Sequence, residues 1–211
     1  MAGLKGTGSK TVHLEAAFVP GYRSHRMVDA MGGVNPGWEV DDGPLYRLPW
    51  MNGIFTWAIS APAIGAATGA LEAYTEQTKT RVAAMGGRAV ADSPAVHARL
   101  SSALSEVDAV KRQMLAAIEE FYALACKGEG IPMEAQLRSR YEGARAISKC
   151  LHAVIDVFEI AGGGVMRLAN PIQRFLRDLL AMNNHPMGAL EGTATPWARE
   201  LLGVPSQPPR G

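Results

Sequence analysis

The chain has 211 residues, of which 47% are hydrophobic and 19% charged, and its 21 basic and 20 acidic side chains leave a formal net charge of +1. That is enough material for one sizeable core, and a near-neutral balance without a long basic run argues against a nucleic-acid partner. Cys126 and Cys150 lie far apart with no paired spacing and no nearby histidine pattern, so neither a metal site nor a disulfide framework is indicated, and a reducing cytoplasm is the compartment that fits.

The stretch Met1–Ser9 lacks the apolar segment of a secretory signal. Residues 10–19 alternate, with Val12, Leu14, Ala16 and Phe18 on one side and Thr11, His13 and Glu15 on the other, which predicts a half-buried strand ending at Pro20-Gly21. A lone strand needs pairing partners, so residues 1–20 read as part of a sheet whose remainder is missing. From there to about Pro49 the chain is rich in Gly, Pro and Asp without a sustained period, and reads as a long connection.

From Trp50 onward the pattern is helical. A first helix is expected to run to about Ala84, bent at Pro62 and closed by Gly86-Gly87. Its uncharged stretch from Trp50 to Leu71, with a Gly65/Gly69 pair, is long enough to span a bilayer. Asn52, Thr56, Ser60, Pro62 and Thr68, set among alanine and glycine rather than leucine, instead indicate a soluble helix buried on most sides, which a neighbouring helix can approach closely. No membrane partner is expected.

Ser93-Pro94 opens a second helix with Val96, Leu100, Leu104, Val107, Met114, Ile118, Phe121 and Leu124/Ala125 on its apolar face, ending at Gly128 and Gly130. Pro132 opens a third, carrying Leu137, Tyr141, Ala144, Ile147, Leu151, Val154/Ile155 and Phe158 and terminated by Gly162-Gly163-Gly164. Asn170 caps a fourth, and Thr195-Pro196 a last short one reaching Leu202. Four helices with short links bury their stripes most simply as an antiparallel bundle. Truncating Leu104 or Leu151 is then expected to cost about 2 to 5 kcal/mol.

Chemistry concentrates near the end. Pro171 fits the first turn of the helix that Asn170 caps; Arg177 and Asp178 stand three and four residues after Arg174, and Ala181 and His185 continue from Asp178 at steps of three and four along the same stripe. Two cations, a carboxylate and an imidazole so arranged can read an anionic or aromatic ligand. The same residues can equally form an Arg/Asp lattice pinning the helix to its neighbours, with His185 at a frayed end beside Pro186.

Several segments, in order, resemble the acyl-CoA dehydrogenase superfamily and, within it, the oxygenase components of two-component flavin-dependent aromatic monooxygenases. Gly3-Leu-Lys-Gly-Thr-Gly-Ser-Lys-Thr-Val with Phe18-Val-Pro20 is similar to the end of that family's middle β-domain. Ile64-Gly65-Ala-Ala-Thr-Gly69-Ala-Leu-Glu-Ala, Ala91-Asp-Ser-Pro-Ala-Val96 and Ala161-Gly162-Gly163 resemble landmarks of the first three helices of its C-terminal domain. Pro171-Ile-Gln-Arg174-Phe-Leu-Arg177-Asp178 with His185 resembles the oxygenase signature, and Arg199-Glu-Leu-Leu-Gly203-Val-Pro the terminus.

The resemblance implies a mainly α fold: an antiparallel four-helix bundle at 49–205, after a remnant of the β-domain and its connection at 1–48 and before a tail at 206–211. It implies an oxygenase component that hydroxylates an aromatic or polycyclic phenol with reduced flavin, FMN or FAD, and molecular oxygen. A separate flavin reductase and a homotetrameric assembly are the implied partners. His185 takes the catalytic role, as base toward the phenol or as support for the cofactor's reaction with oxygen. Arg81, Gly162 and Gly163 are placed at flavin phosphates, often those of a neighbouring subunit's cofactor, and Arg174 also falls among the cofactor-binding positions. Arg177 and Asp178 are expected to be architectural. Two alternatives stand beside this reading: an acyl-CoA dehydrogenase with Glu191 of Glu191-Gly192-Thr193 as base, and a non-catalytic helical half that assembles with a partner supplying the missing domains.

Overall fold

The structure, a computed structural model, describes residues 2–31, 34, 36–48 and 54–205. After a short helix α1 (Met27–Met31) come α2 (Phe55–Thr80), α3 (Pro94–Lys127), α4 (Met133–Glu159), α5 (Pro171–Asn183) and α6 (Leu190–Leu201). The architecture is the expected helical bundle. Helix α4 is its centre, packing against α2, α3, α5 and α6, while α2 also contacts α3 and α5.

Small residues set how closely α2 and α4 approach. A Cβ on Gly143 would stand 2.5 Å from the Thr56 methyl, so the crossing admits only glycine there. Ser60 Oγ donates across the crossing to the Gly143 carbonyl (2.7 Å), and Trp57 Nε1 donates to Ser139 Oγ (2.9 Å), so these buried polar groups are satisfied between the helices. On another face, a Cβ on Gly69 would meet the Phe175 ring of α5 at 2.8 Å. Of the expected glycine pair, Gly69 is therefore the contact; a side chain on Gly65 would meet nothing within 4 Å.

Helix α3 starts and stops as its sequence indicates, with Pro94 in its first turn and Gly128 at φ 70° accepting the left-handed C-cap. Its buried stripe differs from the expected one chiefly at Leu104, and adds Ala103, Val110 and Ala117. Val96, Ala103, Val107, Val110, Ala117, Phe121 and Ala125 are buried, with Leu100 and Met114 packed beside them, in steps of three and four. Leu104 is 46% exposed and is not a core residue. The steps place Ala103 inward; a larger neighbour drew the expectation off by one position. Leu151, at 5% exposure, lies in the core as expected.

Other boundaries move as well. Helix α2 ends at Thr80 rather than Ala84, because Val82 and Ala89 form an antiparallel bridge around Gly86 (φ 86°) and Gly87 (φ 62°). The expected start at Trp50 lies outside the described residues. Helix α6 begins at Leu190, with Thr195 and Pro196 inside it rather than capping it. The Thr193 hydroxyl donates back to the Leu190 carbonyl (3.0 Å), and Trp197 ties the helix to α4 through a 2.8 Å bond to Glu134 Oε1.

The strand expected at residues 10–19 is not formed. Those residues are exposed coil, with Phe18 at 89% exposure, and no strand occurs among the described residues. Alternation gives a segment two faces, but without a neighbouring strand its backbone groups have nothing to pair with.

Candidate functional site

At one end of the bundle, the C-terminus of α2 meets the turn that links α4 to α5. Helix α4 stops at Glu159, Gly162 takes φ 76° and ψ 168°, a conformation open to glycine, and Gly163–Met166 forms a single tight turn. Asn170 then caps α5, its Oδ1 accepting the Ile172 N–H at 3.0 Å, with Pro171 in the first turn. Between these segments lies a cleft of about 620 Å³ whose walls include Gln77, Arg81, Gly162, Gly163, Arg167 and Asn170.

Arg81 lines the cleft. Its Nη2 donates to the Ile160 carbonyl (2.6 Å) and its Nη1 to the Ala161 carbonyl, so the guanidinium closes the last turn of α4 and answers the negative end of that helix. A guanidinium has five N–H donors, which leaves others for a ligand. Gln77 and Asn170 form a reciprocal amide pair in the same wall, Asn170 Nδ2 donating to Gln77 Oε1 at 3.0 Å. Side chains on Gly163 or Gly164 would meet nothing within 4 Å, so their backbone faces open space that an anion can approach. The residues present fit the phosphates of a flavin: donors, cations and a bare backbone, with no acidic side chain in the described wall.

Three of the residues singled out from sequence, Arg81, Gly162 and Gly163, thus share one cleft. Arg174 is exposed, its guanidinium lying over the Phe175 ring at 5.2 Å, and it does not line the cleft. Sequence reading passed over Arg167, Gln77 and Asn170 as cleft residues. Arg167 had one legible signal, as the basic residue between the glycine turn and the cap of α5.

Arg177 and Asp178 grip the other end of the sequence. Asp178 Oδ1 accepts the Leu4 N–H at 2.6 Å and Arg177 Nη1 donates to the Ala2 carbonyl at 3.0 Å. A Cβ on Gly3 would lie 2.2 Å from the Arg177 carbonyl oxygen, which explains a glycine there. Leu4 sits at φ 52°, a conformation costly for leucine, held by this contact and by packing against the core.

His185 lies two residues past the end of α5, so the expected stripe stops short of it. Its imidazole is exposed, and Nδ1 accepts the Met187 N–H at 3.2 Å, capping the Pro186–Gly188 turn. A neutral imidazole that accepts at Nδ1 carries its hydrogen on Nε2 and presents it as a donor. His185 and the glycine-turn cleft stand at opposite ends of α5, about 20 Å apart along the helix axis. Glu191 is exposed in the first turn of α6, where a carboxylate favours the helix dipole.

Helices packed around α4, a glycine turn facing an arginine, and helix α5 opened by Asn170-Pro171 define a C-terminal domain of acyl-CoA dehydrogenase type. Residues 57–188 match the family model of the acyl-CoA dehydrogenase C-terminal domain, and the chain belongs to that family. It is 35% identical, over 97% of its length, to the flavin-dependent monooxygenase oxygenase subunit HsaA of Rhodococcus jostii (strain RHA1), of which it covers 54%. It is 31% identical to the oxygenase component of an FADH(2)-dependent resorcinol hydroxylase of Rhizobium sp. (strain MTP-10005), covering 97% of this chain and 52% of that protein. The crystal structure of 3-HSA hydroxylase from Rhodococcus sp. RHA1 superposes with a TM-score of 0.91 at 34% identity, over 99% of this chain and 54% of that one. The chain thus spans about half the length of the curated relatives it matches.

Proposed function

We propose that this chain is the C-terminal half of the oxygenase component of a two-component flavin-dependent monooxygenase. The observation that carries the reading is the gathering of Arg81, Gly162 and Gly163 in one acid-free cleft at the start of α5, with His185 just beyond that helix's other end. Reduced flavin supplies the two electrons with which one oxygen atom of O2 enters an aromatic ring while the other leaves as water. The chain's own residues bind and orient. Arg81 and the glycine backbone hold cofactor phosphates, and His185 Nε2–H stands ready to hold a phenolate oxygen. For His185 to take a proton instead, the Met187 N–H must release Nδ1 or the ring must change tautomer. A general acid or base at that position contributes about 10² to 10⁴ in rate.

By sequence, residues 1–48 then correspond to the end of the middle β-domain and its connection, although 10–19 form no strand on this chain, and 49–205 correspond to the bundle; the tail at 206–211 lies outside the described residues. The remaining walls of the substrate pocket belong to domains like those in the other half of the relatives. A separate reductase delivers the reduced flavin, and the assembly is a homotetramer. With the distance between the cleft and His185, one protomer's cleft can hold the phosphates of a neighbour's cofactor. Both cysteines are unpaired, in keeping with a reducing cytoplasm.

The test supplies chemically reduced flavin, oxygen and simple phenols to the enzyme in its complete folded form and quantifies hydroxylated product. Turnover that falls at least about a hundredfold in His185→Ala supports the role; unchanged hydroxylation removes it. Dye reduction by an acyl-CoA thioester, abolished in Glu191→Gln, would select the dehydrogenase instead.

A further inference from the structure

Helix α3 carries a second stripe beside its buried one. Leu104, Leu115 and Tyr122 are its exposed large apolar residues, at 46%, 45% and 44% exposure. The line they lie on also holds Asp108, Lys111, Glu119 and Cys126, all exposed. At 3.6 residues per turn the seven fall within about 80° of the helix circumference, centred roughly 115° from the buried face. Glu106 and Glu120, which pair with Lys149 and Arg138 of α4, lie on the opposite side of α3, so α4 does not cover this stripe.

Its steps are palindromic. From Leu104 to Cys126 they run 4, 3, 4, 4, 3 and 4 residues, so Leu115 is the centre and each other member has a counterpart equally far beyond it. The counterparts are complementary: Leu104 with Cys126, Asp108 with Tyr122, Lys111 with Glu119. Lys111 and Glu119 stand 8 residues apart, too far to pair on one helix, and among the described residues neither has an ion-pair partner.

We infer that this face of α3 docks antiparallel against the same face of a second copy of the chain, with a two-fold axis at Leu115. Lys111 then meets the partner's Glu119 and Asp108 the partner's Tyr122, each contact made twice around the paired leucines. Arg112 holds Asp108 Oδ2 at 2.6 Å, which leaves Oδ1 to accept the phenolic O–H. A parallel pairing would set each charge against its own kind, and an antiparallel slip of three residues would set Asp108 on the partner's Glu119; like charges reject both. Leu104, Leu115 and Cys126 recur every 11 residues, just over three turns, so the stripe runs nearly straight for about 33 Å. Seven residues a side fall short of the roughly 20 to 30 of a standard interface, so this contact alone gives a pair with Kd on the order of micromolar. In the homotetramer proposed above it is one of the two-fold contacts, and it does not depend on the flavin reading.

The experiment sediments the purified chain, without flavin, from about 1 to 200 μM and compares the parent with Lys111→Glu, Glu119→Lys and the double exchange. These positions are exposed, and thermal melts confirm that each variant folds. Either single reversal creates two like-charge contacts and should weaken self-association by about tenfold or more, while the double exchange should return to within about threefold of the parent. On mild oxidation Leu115→Cys, in a Cys126→Ser background, should link into dimers and Ser105→Cys in that background should not; Leu104→Cys should link to the partner's Cys126. Failure of the double exchange to restore association, or linking of Ser105→Cys as fast as Leu115→Cys, would overturn the inference. So would a parent that stays monomeric to about 200 μM, whether the stripe is then bare or serves another protein. An oligomer indifferent to every one of these changes would remove this surface and leave the homotetramer to other contacts.

Discussion

Cys150 is fully enclosed within α4, whereas Cys126 is exposed near the end of α3. Burial pushes the Cys150 thiol up to about 12, with Glu106 adding to the rise and Lys149 opposing it. A neutral thiol is a poor nucleophile. One thiol should therefore react with a disulfide reagent at about pH 8 in the native protein and two in denaturant; two fast native thiols would contradict this enclosure. At the α3–α4 contact, burial raises the Glu142 carboxyl above its usual range; Arg138 and a hydrogen bond from Gln113 oppose the rise, and Glu120 and Glu134 add to it. A carboxyl raised on folding stabilises the fold below the pKa of the unfolded chain, and that contribution is lost as pH rises through the folded value. Glu142→Gln should therefore melt higher than the parent at about pH 7, the gap closing below about pH 4. Thermal melts across that range check it, and a variant melting lower at neutral pH would show that the ionised form is favoured by its neighbours.

At the scale of elements, the bundle's register is open to a direct comparison. Leu151→Ala should cost about 2 to 5 kcal/mol in denaturant unfolding, while Leu104→Ala, on an exposed face, should stay within about 1 kcal/mol. Equal losses at both positions would mean that α3 is rotated from the orientation described. Helix starts and stops were largely legible because their signals are local: Ser93-Pro94, Gly128 and Asn170-Pro171 act through backbone geometry within a turn. What was illegible depends on partners distant in sequence. Alternation at residues 10–19 suggested a strand, but strands exist only in pairs. Gly192 and Pro196 look like helix breakers, yet α6 runs through both, held by Trp197 on Glu134 and Tyr141. Arg177 and Asp178 were expected to orient α5; their partners, the backbone of Ala2 and Leu4, could not be read from a helical stripe. Within the cleft, Arg81 and the glycines came from a family resemblance, while Arg167 needed the folded turn to bring it to them.

For the whole molecule, the bundle explains why the glycine-turn cleft and the imidazole are so far apart: α5 separates them, and its two ends are fixed by the Asn170 cap and by the His185 turn. Val82, Met85, Met166 and Leu168 leave large apolar side chains exposed beside the cleft, the kind of surface on which another protein or a ligand can pack. The most direct measurement is a titration of reduced flavin into the purified chain with mass recorded throughout. The account predicts saturable binding to an oligomer, weakened in Arg81→Ala, together with oxygen uptake that does not depend on any acyl-CoA. A colourless oligomer that takes up no flavin at any concentration would contradict it.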